Sequence, residues 1–143
     1  MIRLCTVCIL LLSLFSCKKD NINQQLGIPY VKVNQYLLLN NPSSQILNNV
    51  GGWLYLNAGS RGIIVYHRAY EEFVAFDRHC TWQPEKSCGV VSVDSSATVI
   101  LNCACCNSKF SLIDGSVLQG PAVYPLLQYN AKLADPYTLH VYN

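Results

Sequence analysis

Eight cysteines in a chain of 143 residues, five of them between positions 80 and 106, restrict this sequence more than any other feature. A chain this short can spend so many thiols on disulfides, on a metal site, or on both. The length allows one domain. An apolar content of 51% supports a packed core and excludes disorder for most of the chain. Only 13% of residues are charged, ten basic against eight acidic, with no basic stripe. A nucleic-acid partner is therefore not expected.

The first residues predict export. Arg3 supplies a positive start, and Leu4 to Phe15 is an uncharged apolar stretch. It is shorter than the roughly 20 residues of a membrane-spanning helix but suits a signal sequence. Leu14-Phe15-Ser16-Cys17, followed by Lys18-Lys19-Asp20, resembles a bacterial lipobox, in which the cysteine is lipidated and becomes the mature N-terminus. Residues 1–16 are then a lipoprotein signal peptide, 17–26 a polar tether and 27–143 the folded domain. Cys5 and Cys8 leave with the signal, and Cys17 carries lipid. The expected location is the bacterial cell envelope, at the outer membrane, with the lipid on Cys17 as the membrane contact and an envelope protein as partner. Disulfides persist in such a compartment.

From residue 27 onward the pattern is all-β. Short runs rich in Val, Ile, Tyr and Leu are separated by Gly, Asn, Pro and Asp. They cover Val31 to Leu39, Trp53 to Asn57, Gly62 to His67, Glu72 to Asp77, Val90 to Val93 and Thr98 to Asn102. Lys109 to Ile113, Val117 to Leu118, Leu126 to Asn130 and Thr138 to Tyr142 complete the set. Gly62 to His67 and Glu72 to Phe76 predict a hairpin with a four-residue connection tipped by Glu71-Glu72, and Asp114-Gly115 predicts a tight turn. His67 and His140 read as half-exposed strand residues, and Asp77-Arg78 as a solvated strand end.

The segment Phe76-Asp77-Arg78-His79-Cys80-Thr81-Trp82, then Cys88, then Asn102-Cys103-Ala104-Cys105-Cys106-Asn107-Ser108-Lys109-Phe110, resembles the Rieske domain family. That family's second motif is Cys-Pro-Cys-His-Gly-Ser-x-Phe, followed by a Gly turn and a Gly-Pro-Ala loop. Cys103, Cys105, Ser108, Phe110, Gly115, Gly120, Pro121 and Ala122 match it in order. Cys80, Thr81 and Cys88 match the first motif, Cys-Thr-His with a later Cys. The chain is also similar to the degenerate Rieske-like lipoproteins of Bacteroidetes. The resemblance covers most of residues 50–143. It implies a Rieske-like (ISP-type) antiparallel β sandwich with a small cluster-binding-type subdomain, and ancestral electron transfer through a [2Fe-2S] cluster.

In that family two cysteines hold one iron and two histidines the other. By position the cysteine ligands are Cys80 and Cys103, and the histidine positions hold Trp82 and Cys106. Indole has no in-plane lone pair, and Cys106 brings the set to three. His79 adjoins Cys80 rather than lying two residues beyond it, so it is poorly placed to substitute. A lone Arg3 also lacks the twin-arginine signal used to export folded holo-proteins. The expectation is a cluster-free domain that serves as a binding or assembly module; a [2Fe-2S] electron-transfer protein with an atypical ligand set is the alternative. The resemblance implies a disulfide between Cys88 and Cys105. A second, between Cys80 and Cys106, is expected in place of the cluster, worth about 3.5 kcal/mol by loop-closure entropy. Cys103 is then left buried and inert, or is an alternative partner for Cys80.

Other cysteine chemistries fit less well. Cys103-Ala104-Cys105-Cys106 contains a Cys-x-x-Cys spacing, but strand-like Val99-Ile100-Leu101 precedes it, whereas such redox pairs use a helix N-terminus to lower a thiol pKa. A closed zinc site from Cys80, Cys103, Cys105 and Cys106 is chemically allowed, at the expense of the disulfides. No Ser-His-Asp spacing, phosphate-binding glycine loop or His-x-x-x-His pattern marks an enzyme.

Overall fold

Two adjacent strands carry apolar side chains on both of their faces, and this sets the layering of the molecule. The structure, a computed structural model, describes residues 26–143. The export signal, Cys5, Cys8, the Cys17 lipid site and the tether up to Gln25 lie outside the described residues. Ten strands run in order: β1 (Asn34–Leu38), β2 (Trp53–Leu56), β3 (Ile63–Ala69), β4 (Glu72–Asp77), β5 (Val91–Asp94), β6 (Ala97–Cys103), β7 (Lys109–Ser111), β8 (Val117–Gln119), β9 (Gln128–Asp135) and β10 (Thr138–Tyr142). The all-β class read from the sequence is the class observed. Among the described residues, no helix is long and apolar enough to cross a membrane.

The strands form two antiparallel sheets, one ordered β1-β10-β9-β4-β3-β2 and the other β5-β6-β7-β8. In β3 and β4, Ile63, Val65, Phe73 and Ala75 face one core with Leu47, Leu127, Leu139 and Val141. Ile64, Tyr66, Val74 and Phe76 face the other way, into a second core with Val91, Leu101, Phe110 and Leu112. Successive strand residues point to opposite faces. A strand that is apolar at every position must therefore be covered on both sides, and here the small sheet covers the second side. Cys80 and Cys103 are buried members of that second core.

Several boundaries differ from the sequence reading. Leu26, placed at the end of the tether, is buried in the first core. The β3–β4 hairpin closes tighter than expected: Ala69 pairs with Glu72 across a two-residue turn in which Glu71 has φ 55°. Arg68 binds the Glu72 carboxylate at 3.1 Å, which carries the pairing past the end of the apolar run. β9 continues to Asp135 because its distal half pairs with β10 rather than with the core hairpin. A 3₁₀ turn at Gln45–Asn48, unforeseen, plugs Leu47 into the first core. Gly115 does sit at the Asp114-Gly115 turn, with φ 75°, and a Cβ there would lie 2.6 Å from Phe76 Cε1.

His140 is half-buried as expected, stacked between Tyr36 and Tyr142. His67 is not. It is buried against Phe73, with ring centroids 4.3 Å apart and neither ring nitrogen hydrogen-bonded.

Asp77 is the largest correction. In place of a solvated strand end, its side chain is fully buried. Oδ2 accepts from the Ser60 backbone N–H at 2.7 Å and from the Tyr129 hydroxyl at 2.8 Å. Oδ1 accepts from the backbone N–H groups of His79 at 2.8 Å and Arg61 at 3.2 Å. Four donors to a buried carboxylate compensate its lost hydration. Arg78 is half-buried rather than free: its Nε donates to Val91 O, and its guanidinium lies 3.7 Å over the Tyr55 ring.

Asp77→Asn keeps the shape but turns an acceptor into a donor facing N–H and O–H groups. It should destabilise the domain by about 3 kcal/mol in urea unfolding. Tyr129 gives a pH test. Burial, reinforced by the Asp77 charge, holds its phenol well above the ordinary 10. The unfolded chain loses this proton near pH 10 while the folded chain keeps it. The contribution is therefore complete below pH 10 and is lost as pH rises beyond it. Tyr129→Phe should flatten that part of the alkaline stability profile and lower stability at neutral pH through the lost hydrogen bond.

Candidate functional site

Two loops at one end of the small sheet, with the last residue of β6, carry the five cysteines. The first leaves β4 and holds Cys80, Trp82 and Cys88; the second, joining β6 to β7, holds Cys105 and Cys106 just beyond Cys103. Cys80 starts from a rigid base. Its N–H donates to Gly89 O at 2.9 Å, and its neighbour His79 forms a β-bridge with Val90. In the second loop Cys103 N–H donates to Ser108 O at 2.9 Å, and Asn107 N–H to Cys103 O at 2.8 Å. Asn107 takes φ 59°, a left-handed conformation that asparagine tolerates better than most residues.

Cys88 and Cys105 form a disulfide that joins the two loops. By loop-closure entropy such a link is worth about 3 kcal/mol. Cys80, Cys103 and Cys106 stand as thiols in this structure, and their three Sγ atoms all lie within 4.8 Å of one another. Cys80 Sγ and Cys106 Sγ are 3.6 Å apart, in contact and unbonded. Cys103, grouped with Cys80 and Cys106 by the motif resemblance and otherwise left buried or as an alternative partner for Cys80, is the third member of one thiol group. Cys105 is held in the disulfide, so a four-cysteine zinc set is not assembled.

The three thiols are electrostatically unequal. Burial, followed by contact with Cys103, pushes Cys80 strongly upward. Cys106 is held below its ordinary range: its partial burial works the other way, but hydrogen bonds from the Ser108 hydroxyl and backbone, Cys103 and Cys80 together outweigh it. Ser108 is fully buried, with Oγ 3.1 Å from Cys106 Sγ and accepting the Ala122 N–H at 2.9 Å. Thr81 Oγ1 donates to Tyr124 O at 2.7 Å. Each cysteine loop is thereby tied to the Gly120–Tyr124 segment, which contains a cis Gly120–Pro121 bond.

Trp82 is half-buried against the second core, beside the thiols. His79 is turned away from them. Its Nε2 is 2.7 Å from the Pro84 carbonyl, which can only accept, so Nε2 carries the proton and Nδ1 accepts from the Ser60 hydroxyl at 2.9 Å. Both nitrogens are committed to the loop, and neither is offered to a ligand. Arg61, which the sequence reading passed over, donates through its guanidinium to the carbonyls of Pro84, Lys86 and Gly89. The signal for this framework was local: Asp77 shares a strand face with Phe73 and Ala75, which made it an inward-pointing carboxylate.

A [2Fe-2S] centre needs four ligand atoms divided between two irons. The residues present do not fit it. Trp82 offers no lone pair, and only three thiols converge among the described residues. Cys80 and Cys106, which the motif resemblance would assign to different irons, are in van der Waals contact.

No family model matches the chain, and no curated protein matches it. Among solved structures the chain is similar to the ferredoxin of carbazole 1,9a-dioxygenase from Nocardioides aromaticivorans, with 15% identity over 79% of this chain and 98% of that one, and a TM-score of 0.48.

Proposed function

We propose that this chain is a cell-envelope lipoprotein whose Rieske-like domain has given up its cluster and works as a disulfide-stapled binding or assembly module. The contact between Cys80 Sγ and Cys106 Sγ at 3.6 Å carries the reading, because it closes the space in which a binuclear cluster would sit. The Rieske likeness itself rests on the motif matches from Cys80 to Ala122, together with the disulfide across the two loops. A lipid on Cys17 would tether the domain to the membrane. For recognition, the cysteine end presents apolar side chains to solvent: Val123 is 76% exposed, and Leu118 and Tyr124 are also exposed. An electron carrier with an unusual ligand set is the competing reading.

Protein purified from its own envelope should show no visible absorption above the aromatic bands and no paramagnetic signal after dithionite reduction. A stoichiometric reduced-cluster spectrum would overturn the reading in favour of electron transfer. Cys17→Ala should move the protein from the membrane to the soluble envelope fraction. If it remains membrane-bound, the lipid tether is wrong.

A further inference from the structure

We infer that Cys80, Cys103 and Cys106 form a site for a single thiophilic closed-shell metal ion, divalent zinc or monovalent copper, held by three thiolates. The inference goes beyond the cluster-free reading and rests on it. Three sulfurs bound to one ion at about 2.3 Å stand roughly 3.8–4.0 Å from one another. The three Sγ atoms here all lie within 4.8 Å of one another, with Cys80 and Cys106 at 3.6 Å, so side-chain motion of at most about 1 Å completes the triangle. One ion fits this spacing where a binuclear cluster does not.

The donor set decides the class of ion. All three ligand atoms are thiol sulfurs, with no carboxylate or imidazole in the group. Sulfur-only donors select zinc or monovalent copper over calcium, magnesium or manganese. The loops also provide what bound thiolates need. Ser108 Oγ accepts from Ala122 N–H, which leaves its own hydroxyl proton free to be donated to the Cys106 thiolate. Ser108 is thus a positioning residue. Cys80 and Cys103 are buried, and Cys106 is partly exposed, so the ion is admitted on the Cys106 side.

The balance is simple. Three S–H groups lose three protons to solvent as three metal–sulfur bonds form, and no electrons are transferred. The bound site carries a net charge of −1 with zinc and −2 with monovalent copper. Zinc completes its four-coordinate shell with a water on the Cys106 side, and copper remains three-coordinate.

The test uses the full chain, purified anaerobically with the Cys88–Cys105 disulfide intact and without added thiol reductant. It is titrated in separate arms with zinc, with monovalent copper under acetonitrile, and with cadmium as an optical probe. The expected result is one ion per chain in the cadmium arm and in at least one of the other two, with sulfur-to-metal charge-transfer absorption and release of about three protons. Cys103→Ser and Cys106→Ser should each weaken retention at least about 100-fold, and Ser108→Ala about 10-fold. Cys88→Ser should retain the ion if the domain stays folded by circular dichroism. Absence of charge-transfer absorption in the folded wild-type chain would overturn the inference. So would retention indifferent to Cys103→Ser, or non-reducing mass mapping that finds Cys80 and Cys106 disulfide-bonded in the protein as isolated. An iron–sulfur spectrum in the starting material would instead overturn the cluster-free reading, so the two failures are distinct.

Discussion

A single buried carboxylate fixes how the cysteine end is held. Asp77 terminates the central strand β4 and accepts four hydrogen bonds, from Ser60, Arg61, His79 and Tyr129. These donors come from the β2–β3 loop, the start of the first cysteine loop and strand β9. Three separate chain segments are therefore registered on one pair of oxygens. Held in place by its own N–H, Arg61 spreads its guanidinium across the carbonyls of Pro84, Lys86 and Gly89, and His79 bridges Ser60 to Pro84. Residues 84–89 contain no regular structure. The Pro84, Lys86 and Gly89 carbonyls accept from these side chains in place of a full sheet ladder.

The doubly apolar hairpin β3–β4 provides the other constraint. Because both of its faces must be covered, the small sheet cannot swing away without exposing Phe76, Leu101 and Phe110, which are fully buried. Cys80 and Cys103 stand at the margin of that second core. They are held there as small apolar side chains, a role free thiols often fill. The disulfide between Cys88 and Cys105 then fixes the outer halves of the two loops. Core packing positions two of the three remaining sulfurs, and the Ser108 hydroxyl positions the third.

Much of this was legible in the sequence, and the misses share a cause. Strand positions came from alternation and turn residues, and β10 was bounded to the residue. The two cysteine loops came from motif spacing. Asp77 was misread because a charged residue at a strand end is ordinarily solvated, although its place on the Phe73 and Ala75 face pointed inward. His67 was misread for a related reason: Phe73 opposite it in the hairpin covers its ring, and no sequence pattern announces that lid. The Leu47 turn and the length of β9 depend on contacts far apart in the chain, which local patterning cannot register. Nor could it place the sulfurs, since the convergence of Cys103 with Cys80 and Cys106 is a product of sheet packing.

The division of labour among these parts separates folding from occupancy of the thiol group. Small metal domains such as zinc fingers have too little core to fold without their ion. Here the first apolar core, the Asp77 network and a disulfide stand independently of the three thiols, and the second core packs Cys80 and Cys103 as apolar side chains without an ion. A domain whose loops were organised by a metal centre alone would unfold without it. In this chain the loops are organised by Arg61, His79, Ser108 and Thr81, none of which needs a cofactor to make its bonds. That independence keeps the loops in place whether or not the three sulfurs hold an ion.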